Sequence, residues 1–488
     1  MAESPGEWQR RRSPVWNGIP SVNGEIIKRE GYGTDDKKSG KALFETAPIP
    51  VALATMAFPT IVSQIITLIY NIADTWFIGR TSNPYMIGAS SLVLTVFLAA
   101  TALSNLFGVG GGSLVVRLLG SRREEEARKA ASLSLTMAAG AALAFSLLCL
   151  LFMNPLLRFL GASDLTIGYA RQYLLFVVII GGLPTVLSIA MGTMIRNVGY
   201  SREAGFGFSF GGALNILLDP VFMFLLLPDG YQVMGAGIAT MLSNLATFAY
   251  FLSVYRRIRG KTVLEIPRRI ETIEPSSLRS LFSVGVPAAL SLFLFDLTNI
   301  VINRLSASHG DIELAAMGIV LKAERLPLNI GIGICLGMVP LVAYNYASGN
   351  YPRMRAFFSA ARLSGVAVSI ACVILYRFSA PLIIRAFIDD ADTVRFGTAF
   401  LQARCFATPF MFLSFHMVHF MQSIDRGGWS FWLAVIRQIG LNIPILLFMN
   451  RLFGMTGIVW TQATADFLNV VISYIIYAHV IRNISPAE

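Results

Sequence analysis

Three observations predict an all-α polytopic membrane protein with twelve transmembrane helices in two pseudo-symmetric six-helix lobes. The chain is 55% hydrophobic and only 14% charged, whereas a soluble domain carries about 25% charged residues. Apolar runs of about twenty residues, long enough to cross a bilayer as helices, recur from end to end. The two halves also carry the same landmarks in the same order. An outer-membrane barrel would instead show alternating segments of about ten residues, and the sequence has none.

The predicted spans fall at 51–79, 85–116, 128–153, 165–195, 203–227 and 234–257, then 278–304, 312–345, 355–377, 394–422, 429–450 and 455–481. This divides the chain into a flexible cytoplasmic tail at 1–47, an N-lobe at 48–258, and an interlobe linker at 259–277 that holds Pro267 and Pro275. A C-lobe at 278–482 and a short tail at 483–488 complete it. The net charge of +11 is explained by Lys and Arg concentrated in alternate loops, such as Arg117, Arg122, Arg123, Arg128 and Lys129. That is the positive-inside pattern, so no nucleic acid partner is implied, and both termini are assigned to the cytoplasm. Residues 1–47 lack the apolar core of a signal peptide. Cys149, Cys335, Cys372 and Cys405 sit in or beside apolar runs without metal-ligand spacing, and read as inert buried thiols.

The halves align at an offset near 228. Pro59 pairs with Pro287, Asn71 with Asn299, Leu214-Asn215-Ile216 with Leu441-Asn442-Ile443, and Gly237-Ile238 with Gly457-Ile458. Six helices per copy insert both copies in the same orientation, related by an axis along the membrane normal.

From Val51 to Ile78 the only formally charged residue is Asp74. A carboxylate at that depth costs about 2.5–3.5 kcal/mol by insertion scales, so a proton, a cation or a buried partner must offset it. Tyr70 lies four residues before Asp74 and shares its helix face. Asn215 and Asp219 repeat that spacing in the fifth helix, and Pro220 frees the carbonyl of Ile216 beside them. Thr240 in the sixth helix adds a hydroxyl. Hard cations favour such oxygen ligands, while two neighbouring carboxylates favour a shared proton. Taken alone, Tyr70 and Thr240 fit interhelical hydrogen bonding better than ligation.

The C-terminal half does not copy this chemistry, because Ile302 replaces Asp74. Its candidates for substrate contact or coupling are Asp296, Asp466 and His416. Lys322, Glu324 and Arg325 are expected to pair among themselves. His416 and His419 are read as a satisfied core pair, with a proton relay or metal pair as the alternative. Gly108 to Gly112 mark close helix packing or a hinge. No HExxH, GxSxG or P-loop occurs, which argues against an enzyme, and no cofactor is implied.

The stretch from Pro59 through Tyr70-Asn71-Ile72-Ala73-Asp74 to Gly79-Arg80 resembles the first-helix signature of the multidrug and toxic compound extrusion (MATE) family. Leu214 to Pro220, Met234 to Thr240, Pro340 to Tyr346 and Phe420 to Ile424 continue the resemblance over about 45–480. It is that of the bacterial branch with Leu-Asp-Pro in the fifth helix. The resemblance implies a monomer in the cytoplasmic membrane, with two lobes around a central cavity. It implies export of amphipathic, often cationic small molecules in exchange for inward Na⁺ or H⁺. It places the cation site at Tyr70, Asp74, Asn215, Asp219 and Thr240. A flippase for a lipid-linked or anionic metabolite is the rival reading. Such a cavity would need several cationic residues, and Arg171 and Arg196 are the N-half exceptions. Asp425 stands where relatives often have Gly, and Asp296 lies one residue beyond the acid position of the seventh helix.

Overall fold

A computed structural model describes residues 42–266 and 274–484, without the side chains of Leu292, Phe293, Asp296 and Asn483. The first lobe begins with α1 (Ile49–Gly79), α2 (Pro84–Gly120) and α3 (Glu124–Leu151). Next comes α4, two segments (Ile167–Ile180 and Gly182–Asn197) bent by 46°. It ends with α5 (Ser201–Leu226) and α6 (Gln232–Ile258). The second lobe comprises α7 (Pro275–Ala307), α8 (Asp311–Ala347), α9 (Tyr351–Arg385) and α10 (Ala391–Arg404 continued by Thr408–Ser423). Its last helices form one long run, Gly427–Arg482. Gly454 breaks that run with φ 56° and ψ −137°. Only glycine adopts such a conformation readily, so it separates α11 from α12. Eight of the described helices are long and apolar enough to cross a membrane, or nine if the bent α4 counts as one span.

Local chemistry sets the helix boundaries. Asn83 caps α2 by accepting from the amide of Tyr85 at 3.0 Å, with Pro84 at the first helical position. Asn350 does the same for α9 and Asp390 for α10, at 3.2 and 2.8 Å. Large apolar side chains point outward, among them Phe159 (87% exposed), Phe378 (82%) and Leu382 (74%). On a soluble protein they would be a liability, and against lipid they are the expected surface. The protein is a multi-pass membrane protein. Cys149, Cys335 and Cys405 are buried, and all four cysteines are free.

The lobes meet through two related helix crossings, α1 with α8 and α2 with α7. Both depend on missing side chains. A methyl on Gly337 would lie 2.6 Å from the Cα of Ala57, and one on Gly333 would lie 2.7 Å from the Cα of Ile61. A methyl on Gly110 would run into the carbonyl oxygen of Leu281, and one on Gly285 into that of Leu106. The glycine cluster of α2 faces three neighbours, with Gly111 against Ser134 of α3 and Gly112 against Asn197 of α4. The cluster is thus a close-packing device, as its composition suggests.

Polar contacts reinforce the seam at the end where α2, α8 and α10 terminate. Arg117 pairs with Asp425 at 3.0 Å and donates to Ser280 at 2.6 Å. Ser121 donates to the carbonyl of Ala347 at 3.3 Å. Asp425 adopts φ 59°, a left-handed conformation that Asp tolerates better than most residues. The acid at this glycine-favouring turn therefore supplies an interlobe ion pair. The last residues before α1, within the stretch read as tail, pack on the second lobe. Phe44 stacks on Tyr344 at 5.0 Å, Tyr344 donates to Glu45 at 2.6 Å, and Arg353 donates to the carbonyl of Phe44 at 2.8 Å. The rest of that stretch, residues 1–41, and linker residues 267–273 lie outside the described residues.

Candidate functional site

Three helices of the first lobe converge on one polar spot. Asn215 and Asp219 of α5 are 2% and 0% exposed. Asn215 donates from Nδ2 to Asp219 Oδ1 at 3.4 Å and to Thr240 Oγ1 of α6 at 3.3 Å. Tyr70 of α1 sits where a methyl on Gly212 would touch its ring at 3.2 Å, so a small residue lets α1 approach α5. Asp74 of α1 lies close enough for its charge to act on Asp219, and both act on Tyr70. All five residues named from the sequence are thereby gathered. The π-type turn at Val221–Leu226, directly after Pro220, keeps the end of α5 irregular beside them.

Three acceptor oxygens in this cluster are buried without a hydrogen-bond donor: Asp74 Oδ1, Asn215 Oδ1 and Asp219 Oδ2. Buried acceptors are nearly always satisfied, and each orphan costs about 1–3 kcal/mol, more when charged. One amide donor shared between Asp219 and Thr240 cannot serve three oxygens. The cluster lacks positive charge, and either a proton or a small hard cation would supply it. Among the described residues no group of three or more His, Cys, Asp or Glu forms a metal site. Tyr173 of α4, which sequence spacing did not single out, also belongs here. The charges of Asp74 and Asp219 reach it, and a methyl on Gly237 would touch its ring at 3.2 Å. Its only sequence signal was an intramembrane tyrosine with Tyr169, but no acid or amide, at a four-residue spacing.

The second lobe is built differently. Asp466 of α12 is fully enclosed and held by Arg437 of α11 at 2.5 and 3.2 Å and by Gln462 at 2.5 Å. Its partner lies 29 residues away in sequence, too far for spacing to reveal. Arg437 also stacks over Phe415 at 4.5 Å. Asp466 thus carries its own counter-charge. Glu324 pairs with Arg404 of α10 at 2.7 and 2.9 Å. This corrects the expectation that Lys322, Glu324 and Arg325 pair among themselves. An acid four or fewer residues from two bases invites a local pairing, but helix geometry points Glu324 at the neighbouring helix. His416 donates from Nε2 to the carbonyl of Phe358 at 3.1 Å, and His419 from Nδ1 to that of Phe415 at 2.8 Å. Each histidine serves a backbone carbonyl, and Nδ1 of His416 is buried without a partner. Asp296 lies on α7, and its side chain is outside the described residues.

The MatE family model matches residues 59–221 and again residues 287–448. The chain belongs to the MatE family. The two matches begin at Pro59 and Pro287, the same pair that aligns the halves of the sequence. This MatE chain is therefore an efflux transporter of that family and not an enzyme. It is 29% identical over 427 residues to the multidrug export protein MepA of Staphylococcus aureus (strain MSSA476), covering 87% of this chain and 92% of MepA. It is 28% identical over 423 residues to MepA of Staphylococcus haemolyticus, with the same coverage. A solved multidrug resistance MATE family transporter in an outward-facing conformation superposes with a TM-score of 0.86 at 20% identity, covering 92% of this chain and 98% of that one. At that identity the likeness establishes the fold, twelve helices in two lobes.

Proposed function

We propose that this MatE transporter exports amphipathic, often cationic drugs or metabolites by alternating access, in exchange for inward H⁺ or Na⁺. The observation that carries the reading is the N-lobe cluster of Asp74, Asp219, Asn215 and Thr240, with its unsatisfied oxygens. Two acids in a low-dielectric lobe do not both stay charged without a counter-ion. Occupation by H⁺ or Na⁺ stabilises one arrangement of α1 and α5, and release favours another. An ion that binds two states unequally shifts their populations by that difference. Pro59, inside α1, is the natural bending point. The multidrug export named for the MepA relatives supports the cargo class. The protein acts as a monomer in the cytoplasmic membrane, with both termini inside.

The test is dye efflux from proteoliposomes under separately imposed Na⁺ and pH gradients. Asp74→Asn and Asp219→Asn should insert normally and lose gradient-driven efflux. Full efflux by either variant rejects the coupling site, and response to one gradient alone names the ion.

A further inference from the structure

Four arginines are buried inside the described bundle: Arg117, Arg196, Arg404 and Arg437. Three have a carboxylate beside them, Asp425 at 3.0 Å, Glu324 at 2.7 Å and Asp466 at 2.5 Å. Arg196 is 6% exposed, and among the described residues no carboxylate pairs with it. Its Nε is fully enclosed without a hydrogen-bond partner. Arginine does not deprotonate in proteins, so a buried guanidinium without an anion is costly. Arg196 lies in the last turn of α4, where the helix end offers a fraction of a negative charge. That alone is a weak substitute for the full carboxylate given to each of the other three.

Its location adds a second reason. Arg196 belongs to the first lobe, yet its charge reaches His419 of α10 in the second. Both sit near the C-terminal ends of their helices, Asn197 and Ser423. Nδ1 of His419 donates to the carbonyl of Phe415, so in the neutral ring Nε2 is an acceptor and the guanidinium of Arg196 is the group that donates to an anion. An anion held by Arg196 lies beside α10 of the second lobe.

We infer that Arg196 is an anion-binding residue at the lobe seam. It takes the carboxylate of a zwitterionic cargo or a small inorganic oxyanion. The cargo form of this inference rests on the export reading, and the inorganic form does not.

Two measurements on the full-length protein in detergent test it. The first is equilibrium binding of a xanthene dye that bears both a cationic amine and a free carboxylate, compared with its ethyl ester. The wild type should bind the acid about tenfold or more tightly than the ester. Arg196→Gln should bring the acid to the ester's level without changing the ester, and Arg196→Lys should keep part of the difference. The second is the thermal midpoint as nitrate replaces the bulky HEPES anion at fixed pH and ionic strength. Nitrate should raise the midpoint of the wild type and Arg196→Lys but not of Arg196→Gln. Nitrate that displaces the acid dye but not the ester assigns both anions to one place. A nitrate effect confined to the wild type and Arg196→Lys, without acid preference, assigns a free anion. Retention of the acid preference by Arg196→Gln overturns the inference. So does equal binding of acid and ester with nitrate acting alike on wild type and Arg196→Gln. If neither dye binds the wild type, the export reading fails and the nitrate series alone decides.

Discussion

Removing the charge of Asp425 should loosen the lobe seam at the end where α2, α8 and α10 terminate. Its ion pair with Arg117 spans 3.0 Å, with the Arg117 side chain 8% exposed and that of Asp425 40% exposed. Exposed pairs are worth about 0–1 kcal/mol, and hydrogen bonds to charged groups about 1.5–3 kcal/mol. Arg117 keeps Ser113 at 2.7 Å and Ser280 at 2.6 Å after the change. Asp425 also accepts from Ser280 at 2.8 Å, so the loss is the charge assistance of two contacts, discounted for the solvent around Asp425, or about 1–2 kcal/mol. Asp425→Asn preserves both side-chain shape and tolerance of the left-handed backbone, so the charge is what is removed. A shift of that size changes a two-state ratio about 5–30-fold. Spin labels at Arg128→Cys and Ser348→Cys, with the four native cysteines replaced, read the ratio as short against long distances. Asp425→Asn should cut the ratio of short to long distances by that factor, and Arg117→Gln should do the same. The double variant should do little more than either. A change below twofold, or full additivity in the double variant, refutes the idea that this pair holds the seam. Raising salt to about 1 M should move the wild type part of the way, because the Asp425 end is screened.

Other outcomes follow from the packing. Gly110→Ala should cost at least about 1–3 kcal/mol by overpacking against the backbone of α7, lowering the yield of monodisperse protein. Gly140→Ala, with no neighbour within 4 Å of the added methyl, should leave the yield unchanged. Arg437→Ala should destabilise by about 3–5 kcal/mol by stranding Asp466, measured as thermal loss of monodispersity. Arg437→Met combined with Asp466→Leu should recover most of that loss. Tyr344→Phe removes the 2.6 Å bond to Glu45 and should cost about 1 kcal/mol, seen as faster proteolysis ahead of α1.

Most of the first-lobe cluster was legible in the linear sequence because it is locally encoded. Tyr70 with Asp74, and Asn215 with Asp219, are spaced four apart, so helix geometry alone puts each pair on one face. A lone carboxylate in an apolar run announces itself through its insertion cost. Tyr173 was not legible, because its neighbour at a four-residue spacing is Tyr169 and no acid or amide marks that face. The pairing of Asp466 was not legible for the related reason that Arg437 lies on another helix.

The amino-acid sequence by itself determined the helices, their order, the repeat, the family and the acids that hydrocarbon cannot tolerate uncompensated. These follow from local hydropathy and from spacing along one helix. Tertiary structure alone decided which charges are compensated. It paired Glu324 with Arg404 and Asp466 with Arg437, used Asp425 to tie the lobes together, and among the described residues left one oxygen each of Asp74 and Asp219 and the Nε of Arg196 without a partner. Charge pairing depends on distances between helices far apart in the chain, and the composition of any one helix does not contain those distances.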